Sequence, residues 1–171
     1  MLRTNSTGIN LIKAYEGIED GDPSTVNLDP YLCQAKVWTI GYGHSIFYNN
    51  KQLNKTNDPQ GAIAKSLYPN GITIDQAETL LKNDIYDTEI LLNNVLKNIS
   101  LNENQYSALT SFVFNVGIGR FIKSTLLKRL KDKNYLAAAE EFKKWRKVGS
   151  IISNGLVKRR EAEKALFLKE V

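Results

Sequence analysis

Strand-forming residues are confined to one short stretch of this chain, and that confinement limits the fold more than any other feature. Residues 31–48 gather Tyr, Val, Trp, Thr, Ile and Phe around two glycines, which predicts two or three short strands. The other periodic segments have helical spacing. Ile9, Leu11, Ile12 and Tyr15 share one side of a helix over 8–16, which Gly17 stops. Thr73 and Gln76 form a capping-box pattern at the head of a long helix that carries Leu80, Leu81, Ile85, Ile90, Leu91 and Val95 to about residue 97. Asn102 caps a segment ending near Gly117, and Ser124 and Asn134 are caps for 125–132 and 135–147. A break from Gly149 to Gly155 precedes a closing helix over 156–169. Residues 19–30 read as a loop, and 49–70 as irregular with a short helical turn around 60–67. The pattern predicts an α+β, mostly helical protein.

At 171 residues the chain suits one domain with a sizeable core. A single cysteine excludes an internal disulfide, so Cys33 is a buried small hydrophobe, a reactive thiol or an intermolecular bridge. His44 is the only histidine, no His/Cys cluster exists, and we expect neither a metal nor another cofactor. No G-x-S-x-G elbow supports a serine hydrolase. The polar start MLRTNSTGIN does not read as a signal peptide, and no segment has the apolar length of a membrane span. We therefore expect a monomer with no stable membrane insertion, made in the cytoplasm. Charge is divided along the chain: residues 1–119 hold 8 basic and 12 acidic side chains, and residues 120–171 hold 15 and 6. A basic half attracts polyanions, including an anionic cell envelope. The acidic half and the lack of any recognised motif argue against a nucleic-acid partner.

Glu16 is a lone carboxylate at a helix end, just before the ribbon from Val37 to His44. Glycosidic cleavage needs a protonated acid for the leaving oxygen and a second group that activates or positions water, or attacks directly. Desolvation at a helix end facing an apolar cleft suits a carboxyl to the first role. Gly41 and Gly43 bracket Tyr42, either for close backbone approach to a sugar or to bend the strand.

The motifs LIKAYEG (11–17), C-x5-T (33–39), TIGYGH (39–44), QYSALTSFVFNVG (105–117), STLL (124–127) and GLVKRREAEKALF (155–167) resemble the phage-type lysozymes, the endolysins of glycoside hydrolase family 24. The resemblance covers nearly the whole chain. It implies a two-lobed lysozyme-like fold: a small antiparallel β-ribbon lobe at about 18–70, a connecting helix at about 73–97, and a helical lobe at about 98–171 that includes the N-terminal helix. It implies a muramidase acting on bacterial peptidoglycan after holin-type release or dedicated secretion. Glu16 is then the general acid, with Cys33 and Thr39 as its catalytic partners. Many members carry Asp where this chain has Cys33. Sixteen residues separate Glu16 from Cys33, about twice the usual number, and the excess contains Asp20, Asp22 and Asp29. It reads as a surface insertion, or as a source of a replacement carboxylate. Cys33 either positions water with Thr39 or attacks the anomeric carbon; because the family mostly inverts configuration, positioning is the expectation. Thr39 otherwise serves the ribbon alone. By the same resemblance Tyr42, Phe114, Asn115, Ser124 and Arg159 contact substrate, with Arg160 an alternative register for Arg159 and with core packing and capping as the alternatives for Phe114 and Ser124. His44 pairs with Asp84 in a structural role. Two further readings stand beside hydrolysis: a catalytically weak wall-binding module and a lytic transglycosylase.

Overall fold

The computed structural model describes residues 1–171. Helix α1 (Ser6–Glu16) starts two residues before its apolar period, because Asn5 Oδ1 accepts the Gly8 N–H at 3.0 Å and caps it. The chain divides into two compact units, Glu16–Asp84 on the one hand and Met1–Tyr15 with Ile85–Val171 on the other.

The unit from Glu16 to Asp84 contains the ribbon. Strands β1 (Tyr31–Leu32), β2 (Trp38–Ile40) and β3 (His44–Ser45) form an antiparallel sheet in that order. A second hairpin follows, β4 (Phe47–Tyr48) with β5 (Lys51–Gln52), in the stretch expected to be irregular. Its turn residues Asn49 and Asn50 have φ of 49° and 60°. A two-residue type I′ turn needs positive φ at both positions, which asparagine tolerates. Trp38, Ile40, Ile46, Leu53, Ala64, Ile72 and Ala77 form the core of this unit. Trp38 Nε1 donates to the Asp58 carbonyl at 2.7 Å, while the Asp58 carboxylate accepts the Ala64 N–H at 2.9 Å in α2 (Ala62–Leu67).

Helix α3 (Ile74–Val95) carries the expected capping box: Gln76 N–H donates to Thr73 Oγ1 at 3.1 Å, and Thr73 N–H to Gln76 Oε1 at 2.8 Å.

The other unit is built around α4 (Glu103–Val116), buried almost all round and packed on α8 (Asn154–Leu168). Between them run α5 (Ile118–Ile122), α6 (Thr125–Lys131) and α7 (Tyr135–Glu141). Phe112 meets Phe142 and Trp145 edge to face at 5.2 and 5.3 Å, contacts worth about 0.5–1.5 kcal/mol each beyond burial.

Two expectations fail here. The helix over 135–147 ends at Glu141, passes through one 3₁₀ turn (Phe142–Lys144) and stops, because Phe142 and Trp145 must both reach Phe112. The region 98–171 is not all helical. Strands β6 (Lys147–Val148) and β7 (Ile151–Ile152) form a hairpin whose Gly149 takes φ of 60°, flanked by the β-branched Val148, Ile151 and Ile152. No helix is long and apolar enough to cross a membrane.

Candidate active site

The register of the ribbon sorts its side chains. Tyr31 pairs with Thr39 and Thr39 with Ser45, so these share one face; Leu32 and Trp38 pair on the other and join the core. Cys33 lies two residues after Tyr31, at the start of the β1–β2 turn. There Cys33 N–H donates to the Val37 carbonyl at 3.0 Å, and Lys36 N–H to the Cys33 carbonyl at 2.8 Å. The thiol is partly exposed. Thr39 is buried, and its hydroxyl donates to the Val37 carbonyl at 3.0 Å. That bond commits its proton and leaves oxygen lone pairs as acceptors.

Glu16 ends α1 and is partly buried. Its carboxyl meets the ribbon at Gly43: a β-carbon on Gly43 would lie 3.3 Å from Glu16 Oε2, and Gly43 takes φ of 75°. A side chain at 43 would therefore be strained and would press on the carboxylate. At Gly41 a β-carbon would come within 2.9 Å of Ala77 Cβ on α3. The two glycines thus admit close approach, one of a helix and one of a carboxylate.

His44 Nδ1 sits 2.9 and 3.1 Å from the two carboxylate oxygens of Asp84 on α3, where it donates its proton. Both side chains are about a quarter exposed, at 27% and 28%.

Tyr31 was passed over in the sequence. Burial pushes its hydroxyl up to about 12, helped by the charges of Glu19, Cys33 and Glu16 and opposed by a hydrogen bond from Gly43 N–H. The backbone of Glu19 bridges that of Gly41, next to the end of β2.

The inserted aspartates hold their own loop. Asp20 Oδ1 accepts the N–H groups of Asp22 and Asp29 at 3.1 and 2.9 Å. Asp22 accepts both the N–H and hydroxyl of Ser24, which hold its carboxyl below the usual range, and Asp29 accepts the Thr25 hydroxyl.

In the other unit, Ser124 is spent on the cap of α6: it accepts the Leu127 N–H at 3.1 Å and donates to the Phe121 carbonyl at 2.6 Å. Phe114 is partly buried on α4. Asn115 is exposed and borders a cavity of about 590 Å³ with Arg120, Trp145 and Val148. Arg159 and Arg160 are both buried, at 3% and 1%, and grip one carboxylate, Glu163. Arg159 Nε reaches Glu163 Oε1 at 3.1 Å, Arg160 Nε reaches Oε2 at 2.8 Å, and Ser111 Oγ donates to Oε1 at 2.8 Å. Arg159 lies 5.9 Å from the Tyr15 ring, whereas Arg160 reaches Asn115 Oδ1 at 3.0 Å. Burial pushes the Glu163 carboxyl up, against the pull of Arg160, Arg159 and Ser111.

Comparison with known proteins decides the family. The family model described as phage lysozyme matches residues 22–163. The chain belongs to the phage lysozyme family. It is 38% identical to an endolysin of Acyrthosiphon pisum secondary endosymbiont phage 1 over 97% of this chain and 98% of that protein. A solved structure of P22 lysozyme superposes with a TM-score of 0.74 and 31% identity, covering 99% of this chain and 100% of that one. The muramidase domain of SpmX from Asticaccaulis excentricus superposes with a TM-score of 0.75 and 26% identity, covering 99% and 100%. The fold is therefore the α+β lysozyme fold, and this phage lysozyme is a glycoside hydrolase. The lysozyme's buried Ser111–Glu163 bond escaped the sequence, because neither residue has a local signal and their partnership spans two helices.

Proposed function

We propose that this phage lysozyme is a muramidase that hydrolyses the β-1,4 bond between N-acetylmuramic acid and N-acetylglucosamine in bacterial peptidoglycan. Glu16 donates a proton to the leaving oxygen. Cys33 and Thr39 hold the attacking water, and Tyr42 contacts the glycan. The observation that carries the reading is the approach of the Glu16 carboxyl to Gly43, which brings a partly buried acid to the ribbon that bears Thr39 and Cys33. Thr39 gives its proton to the Val37 carbonyl, so toward a water it acts as acceptor. An acceptor beside the water orients its lone pair toward the anomeric carbon. A thiol that keeps its proton is a weak base, which suits Cys33 to placing water. Water attack inverts the anomeric centre. The hydrogen bonds between His44 and Asp84 fix β3 to α3 and take no part in proton transfer.

The test is mass spectrometry of peptidoglycan digests together with proton NMR of fresh product. The expected product is a reducing muramic acid end, first seen as the α-anomer. A 1,6-anhydro end would make the enzyme a transglycosylase, and a β-anomer would make Cys33 a nucleophile.

A further inference from the structure

The β6–β7 hairpin carries apolar side chains where a surface hairpin is ordinarily polar. Val148 is 67% exposed, Ile151 74% and Ile152 50%. Val148 pairs with Ile151, so these two lie together on one face, and Ile152 pairs with Lys147 on the other. Single exposed aliphatics are common on protein surfaces, but three on one short hairpin form a patch. Cations adjoin it. Arg146 and Lys147 come just before Val148, and both are exposed. The neighbouring Lys143 and Lys144 pair with Glu140 and Glu141, whereas Arg146 and Lys147 make no ion pair. The cavity of about 590 Å³ that borders Val148 and Gly149 has Arg120, Lys144 and Lys147 in its lining and no acidic residue.

We propose that the β6–β7 hairpin is a surface anchor for anionic phospholipid: Val148, Ile151 and Ile152 enter the boundary between headgroups and acyl chains, and Arg146, Lys147 and Arg120 meet the headgroup phosphates. A soluble polyanion would use the cations but gain nothing from the aliphatics. A second copy of the chain would cover the aliphatics, but three side chains fall short of the roughly 800 Å² per partner that a stable dimer buries. The cations of the two copies would also face each other. A bilayer surface uses both features, because apolar burial and attraction to anionic lipid act together there. Long basic side chains lay their stems along the apolar layer and keep their charges at the phosphates. Gly149 and Ser150 leave the tip of the hairpin narrow. The attachment is peripheral and reversible, and none of these residues belongs to the catalytic set.

The experiment measures binding of the full chain to sedimented vesicles at low salt. Vesicles of phosphatidylglycerol with phosphatidylethanolamine are compared with phosphatidylcholine alone. Wild type should bind the anionic vesicles about tenfold or more tightly than the neutral ones. Val148→Thr with Ile151→Thr keeps the β-branching of the strands and should weaken that binding about tenfold. Arg146→Gln with Lys147→Gln should weaken it roughly 25-fold, about fivefold for each cation. Both double variants should keep the wild-type rate on a soluble glycan fragment. An environment-sensitive fluorophore on Ser150→Cys, in a Cys33→Ser background, should shift to the blue on anionic vesicles; this readout needs no change to the patch itself. Equal binding to both vesicle types, or to neither, would overturn the proposal. So would a threonine variant that binds like wild type, because charge alone would then make the surface a polyanion site. A glutamine variant that binds like wild type, an unshifted fluorophore, or a lost rate on soluble glycan in the threonine variant would overturn it too, the last by placing the hairpin on the substrate.

Discussion

Replacing Glu163 with leucine should damage this protein more than any single loss of an arginine partner. Glu163 is fully buried and stands between the guanidiniums of Arg159 and Arg160, residues that are 3% and 1% exposed. Glu163→Leu leaves Arg159 and Arg160 facing each other without their shared anion, and leaves Ser111 without its acceptor. Removing one member of a buried ion pair costs about 3–5 kcal/mol, and two buried guanidiniums that lose their shared carboxylate place this variant at the top of that range. Arg160→Met is milder. Methionine keeps the length of the aliphatic stem but removes the guanidinium that lies 4.9 Å over the Phe112 ring, and Glu163 keeps Arg159 and Ser111, so about 3 kcal/mol is expected. For a chain of this length each kcal/mol lowers the melting temperature by roughly 2–4 °C. Glu163→Leu should therefore melt about 10–20 °C below wild type and Arg160→Met about 6–12 °C below. Urea unfolding followed by circular dichroism gives the free energies directly. If Glu163→Leu lies within about 1 kcal/mol of wild type, or is milder than Arg160→Met, the three groups do not act as one buried network, and the reasoning fails.

Further outcomes follow from individual contacts. His44→Ala should cost about 1–3 kcal/mol in urea unfolding and leave turnover intact well below the melting temperature, as for a partly buried charge-assisted bond; loss of turnover at full folding would put His44 in the chemistry. Tyr31 should ionise only near pH 12 in an ultraviolet difference titration against Tyr31→Phe, and ionisation near 10 would mean that its burial is not maintained. Glu140 accepts from Lys143 and Lys164, which hold its carboxyl at about 2. A depressed folded value adds stability above the ordinary carboxylate range, and that contribution disappears as pH falls toward 2. NMR should place its midpoint there at low salt, and Lys164→Ala should move it up. Cys33→Asp should retain or improve activity and Cys33→Ser should keep much of it; an inactive Ser variant would indicate a nucleophile.

Sequence alone revealed what is local. The capping box at Thr73/Gln76 and the caps at Asn102, Ser124 and Asn134 each need only three or four residues, and each forms. The two missed hairpins show the limit. Asn49-Asn50 and Gly149-Ser150 lack the strong Asn-Gly signal, and their strands are two residues long, too short for alternation to register. The motif around Glu16 marked a candidate acid, but its neighbour Gly43 is distant in sequence, and only the folded chain brings them together. Tyr31 looked like one more strand aromatic, because the burial and the carboxylates that raise its hydroxyl arise only in the folded chain. Ser124 had two possible uses in the sequence, and the folded chain fills both of its hydrogen bonds within the α6 cap.

The most direct test of the account is the rate at which Glu16→Gln releases reducing ends from purified peptidoglycan. Glutamine keeps the size of the side chain and its contact with Gly43 but has no proton to give. With melting temperature confirmed, the loss should be about 10²–10⁴-fold, the range for general acid catalysis. Turnover within about tenfold of wild type would contradict the assignment of Glu16 as the acid.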